Sequence, residues 1–89
     1  MQDNITHFRQ LIVVASLIGQ AETVASTEFR SSEEAISAGD TLAEQLNEQA
    51  VYAVENGQRD LWHALRELRF AVVNDMRVRS AQLPQTRTV

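Results

Sequence analysis

The stretch Leu61–Val89, LWHALRELRFAVVNDMRVRSAQLPQTRTV, marks the chain as helical. Leu61, Leu65, Leu68, Val72 and Met76 recur at steps of three or four residues. At that period one face of an α-helix comes round again. At about 100° per residue, Arg59, Arg66 and Arg77 fall on nearly the opposite side. The pattern stops at Leu83-Pro84, because the residue before a proline avoids helical backbone angles. The predicted helix runs from Gln58 to Ala81.

Upstream, Asn56-Gly57 punctuates the chain, and glycine takes the left-handed conformation that ends a helix without a steric cost. Before it, Ile36, Leu42, Ala43, Leu46, Ala50, Ala53 and Val54 predict a second helix over Ser32 to Glu55. Ser31 with Glu34 fits a capping box, and the acids beside it suit the positive end of the helix dipole. Gly39-Asp40 weakens the early turns and is a place where this helix could divide. The polar segment Ser26 to Ser31, with Phe29 inside it, is a connection.

A further helix is predicted over Asn4 to Ala25, with Asp3 or Asn4 as its cap. Its centre, Leu11 to Ile18, is apolar on every side, so such a helix needs cover from several directions. A short β-branched run also describes a buried strand. Helix is favoured because Ile5, Phe8, Ile12 and Ala15 extend the pattern at helical spacing and no turn residues bracket the run. Gly19 costs this helix about 1 kcal/mol relative to alanine or marks a kink. The expected fold is all-α: a three-helix up-down-up bundle over residues 1–83 that associates with itself, with 84–89 as a link to a following region. The first helix is expected either at the centre of the bundle or against a second copy.

Eighty-nine residues make one domain with a modest core. There is no cysteine, which excludes disulfides, thiol nucleophiles and cysteine-based zinc sites. No signal-peptide pattern opens the chain. The longest uncharged run, Gln10 to Ala21, has twelve residues, against the roughly 20 that span a bilayer. No membrane contact is therefore expected. Residues 1–50 hold eight acids and two arginines; residues 51–89 hold four acids and six arginines. The overall charge of −4 argues against a non-specific DNA clamp, which needs many cation–phosphate contacts.

Motifs for chemistry are sparse. His7 and His63 are far apart, and neither has a second histidine at metal-ligand spacing. Glu44 and Glu48 share a helix face but form a solvated pair rather than an acid–base site. There is no G-x-S-x-G nucleophile turn and no glycine-rich phosphate loop. No catalytic residue, metal, cofactor or small-molecule ligand is assigned, and the chain is expected not to be an enzyme. Two surfaces remain. Arg59, Arg66, Arg69 and Arg77, with Arg79, form an arginine face that would suit nucleic acid; Glu67 and Asp75 interrupt it, and Glu55 is spaced to pair with Arg59. The apolar residues Leu11, Val14, Leu17 and Ile18, with the second flank Trp62, Phe70 and Val73, are the candidate protein contacts.

From Arg66 to Val89 the chain resembles the DNA circularisation (N) protein family of Mu-type phages and prophages, which are tail-associated. The likeness lies in an amphipathic helix, with Leu68 and Val72 preceded by Leu65, then Arg77-Val78-Arg79, then Leu83-Pro84-Gln85-Thr86-Arg87-Thr88-Val89. It covers about a quarter of the chain. The family's proline-alanine-leucine-rich helix would follow Val89. The resemblance implies a piece of a larger tail or baseplate protein, located in the host cytoplasm or the virion. It implies non-covalent joining of DNA ends by the parent protein, no catalysis, and either other tail proteins or further copies of itself as partners. The acidic balance places the DNA contact elsewhere in that parent.

Overall fold

The computed structural model describes residues 4–84, with side chains from Phe8 onward. Helix α1 spans Asn4–Ser26, α2 spans Ser32–Glu55 and α3 spans Arg59–Gln82. The fold is an all-α bundle. Gln10 near the start of α1 bonds to Gln58 at the start of α3, and Arg79 near the end of α3 reaches the carbonyls that end α1. Hence α1 and α3 run the same way and α2 runs back between them, the up-down-up order that the sequence predicts.

Local chemistry fixes the boundaries. Ser31 is the N-cap of α2, and its Oγ accepts from the Glu34 N–H at 3.2 Å. The Ser32 N–H, a donor with no partner inside the helix, bonds to the Pro84 carbonyl at 3.0 Å. That bond ties the end of α3 to the start of α2. Gly57 has φ +71 and turns the chain from α2 into α3. Leu83 is extended, as its place before proline requires. Asp3, a candidate cap, lies outside the described residues, as do His7's side chain and residues 85–89.

The core lies between α2 and α3. Leu46 and Leu65 are 0% and 2% exposed and are its largest fully buried side chains. Each contributes about 1.5–3 kcal/mol by leaving water. Leu42, Ala35, Ala50 and Ala53 of α2 face Val72 and Met76 of α3 in the same cluster. Gly39, a place where α2 could have divided, leaves it continuous. It is buried, and a Cβ there would stand 2.1 Å from Cγ of Met76. The missing side chain is what lets the two helices approach at that level. Gly19 likewise leaves α1 continuous.

Of the two placements expected for α1, the central one is overturned. A narrow seam of Val14 and Leu17, with Ala21 and Val24 partly covered, packs on the α2–α3 pair. The set that extends the helical pattern, Phe8, Ile12 and Ala15, points the other way and is exposed. Polar bonds hold α1 at both ends. Gln10 Nε2 donates to Gln58 Oε1 at 2.8 Å, and Gln10 is itself buried. The Arg79 guanidinium donates to the carbonyls of Val24 (2.9 Å), Ala25 (3.4 Å) and Thr27, and pairs with Asp75 at 3.1 Å. It also lies over the Phe29 ring, 5.1 Å from the centroid. A cation thus meets the negative end of α1.

Candidate functional site

Among the described residues exposed apolar side chains occur on all three helices, and two groups of them include candidate contact residues. The larger is the outer face of α1. Phe8 is 62% exposed and Ile12 53% exposed; Leu11 and Ile18 are also open. Viewed down the axis at about 100° per residue, Phe8, Leu11, Ile12, Ala15, Ile18 and Gly19 share one side. Val14, Leu17 and Ala21 share the opposite side. Nothing lies within 4 Å of a Cβ built on Gly19. An open groove of about 440 Å³ separates part of α1 from α2, lined by Ile12, Val13 and Leu17 on one wall and Gln45, Glu48 and Gln49 on the other.

The second surface is the flank of α3. Phe70 is 74% exposed, and Val73 is open beside it. Trp62 is half-buried against the core. Its ring carries the Arg66 guanidinium 4.8 Å from the centroid and the His63 ring edge-on at 4.6 Å. A shallow depression between His63, Arg66, Glu67 and Phe70 completes this flank.

The predicted protein-contact residues therefore divide. Leu11, Ile18, Phe70 and Val73 are available to a partner, and Trp62 is so in part. Val14 and Leu17 are not, being buried in the chain's own core. Within the run Leu11 to Ile18, which has no polar side, nothing distinguishes the stripe that faces inward. Phe8 and Ile12 are exposed apolar residues of the same face that sequence reasoning did not single out. The available signal was the length of the other stripe: Gln10, Val14, Leu17, Ala21 and Val24 continue to the end of the helix, whereas the Phe8 stripe meets Glu22.

The arginine face also divides. Arg59, Arg66, Arg69 and Arg77 are exposed. Arg79 turns inward to α1 and leaves that face. Arg69 shares a trough with Asp40, Glu44 and Glu48 of α2, so carboxylates stand where a phosphate would approach it. Glu55 ends α2 and Arg59 begins α3, so the spacing that suggested an in-helix pair crosses a turn. Among the described residues no three metal-ligating side chains are gathered, and no helix is long and apolar enough to cross a membrane.

Comparison of the chain with protein-family models, curated proteins and solved structures yields no match.

Proposed function

We propose that this chain is a non-catalytic assembly module that makes helix–helix protein contacts within a phage-type tail protein. The observation that carries the assembly role is the outer face of α1, where Phe8, Leu11, Ile12 and Ile18 stand open in a row. A helix that buries one apolar side and exposes another has surface for a second partner. The exposed Phe70–Val73 flank of α3 offers a further contact. The resemblance of Arg66–Val89 to the DNA circularisation family supplies the phage-tail setting. On that reading the module works in the virion or the host cytoplasm, and DNA is met by other parts of the parent protein.

A nucleic-acid-binding role is the second reading, favoured by four exposed arginines on one side of α3. The acids around Arg69 and the net charge of −4 weigh against it. Two measurements separate the readings. A fluorescent DNA duplex titrated at low salt should show no binding; binding that weakens steeply with salt would favour the arginine face. In a prophage encoding this chain, Ile12→Glu with Phe70→Glu should keep the protein out of assembled tails while its helical circular dichroism is retained. Normal incorporation of that variant would overturn the assembly role.

A further inference from the structure

We infer that the outer face of α1 pairs with the same face of a second copy, the two helices running antiparallel and crossing near Ala15 and Ser16. The inference rests on the assembly role above and names its partner.

Three observations converge on this pairing. The first is pattern. Phe8, Leu11, Ala15 and Ile18 follow alternating steps of three and four residues, with Ile12 and Gly19 beside them. That is the spacing of a seam between two long helices. It lies opposite the stripe that α1 already uses, so pairing disturbs no intramolecular contact.

The second is area. Whole large side chains carry roughly 150–250 Å². The exposed fractions of Phe8, Leu11, Ile12 and Ile18, with exposed Ala15 between them, thus leave roughly 450 Å² of apolar surface per copy. Two copies supply about 900 Å² before any polar rim is counted, close to the scale of about 1,000 Å² at which specific interfaces begin.

The third is size along the seam. Antiparallel pairing centred between Ala15 and Ser16 sets those small residues at the crossing point and Ile12 opposite the open space at Gly19; parallel pairing in register sets Leu11 and Ile12 against their own copies. Large side chains meet small ones, as interdigitating layers require.

The chain has no cysteine, which permits a clean test on the 89-residue protein. Sedimentation should show a monomer–dimer equilibrium with roughly micromolar affinity. Ile12→Glu should weaken it by about tenfold or more with unchanged helical content, since Ile12 is exposed in the single chain. Under mild oxidation Ala15→Cys should form a disulfide-linked dimer. Phe8→Cys should not, because its two copies stand roughly 20 Å apart at 1.5 Å rise per residue. A chain that stays monomeric at hundreds of micromolar overturns the pairing. So does a dimer indifferent to Ile12→Glu, and equal crosslinking at both positions overturns the antiparallel arrangement. A monomer whose variant is still lost from tails overturns the pairing and leaves the assembly role standing. A dimer of this form with normal tails overturns the assembly role and leaves the pairing standing.

Discussion

Gly39 shows how one residue sets the distance between two helices. Met76 occupies the place where a side chain would begin, with its Cγ 2.1 Å and its Cβ 3.1 Å from a built Cβ. Gly39→Ala removes a poor helix former, a gain of about 1 kcal/mol. It also forces a buried methionine to shift within a packed core, a cost of about 1–3 kcal/mol. The collision involves the middle of the Met76 side chain and not only its flexible tip, so the cost wins. The urea midpoint of Gly39→Ala should fall. In a Met76→Ala background the same change should be neutral or stabilising by up to about 1 kcal/mol, because the colliding atoms are gone. A raised midpoint in both backgrounds would mean that the helices have room to spare.

At the scale of elements, α2 and α3 form the stable pair and α1 is fastened to it by a thin seam and two polar clasps. Leu65→Asp places an unpaired charge at the centre of the α2–α3 core and should unfold the domain, a penalty of several kcal/mol. Val14→Asp sits at the edge of the seam and should loosen α1 while α2 and α3 keep their protection. Residue-resolved hydrogen exchange checks this, and equal loss in all three helices would contradict it. Arg79→Met removes the donors that hold the end of α1 and should cost about 1.5–3 kcal/mol, with exchange rising first in α1. Arg79→Lys should not restore full protection, since one ammonium lacks the planar fork that serves Val24, Thr27 and Asp75 together. The helix boundaries were legible because their signals are local: the Ser31 hydroxyl, the Gly57 turn and Pro84. The inward stripe of α3 was legible because leucines and arginines fall on opposite sides. The orientation of α1 was not, because apolar residues surround it and its bonds come from Gln58 and Arg79, some 48 to 55 positions away. The role of Gly39 was hidden for the same reason, since only Met76 across the interface reveals it.

At the scale of the whole molecule, a domain of this length has little stability to spare. Two leucines are its largest fully buried side chains, and small single cores hold only a few kcal/mol. A partner that binds the folded state and not the unfolded chain adds stability by mass action, about 2.7 kcal/mol at a hundredfold excess over Kd. If the partner is a second copy, concentration itself becomes the stabilising variable. For a domain of this size each kcal/mol is worth about 4–8 °C in melting temperature. The melting temperature of the wild-type chain should therefore climb by several degrees as its concentration rises from around Kd to a hundredfold above it. Ile12→Glu should melt at one temperature across that range, near the wild-type value at high dilution, because Ile12 is exposed in the single chain, at the rim of the groove between α1 and α2. A wild-type melting temperature independent of concentration, measured across the range where sedimentation detects pairing, would mean that the contact forms equally well between unfolded chains and is not a property of the folded face.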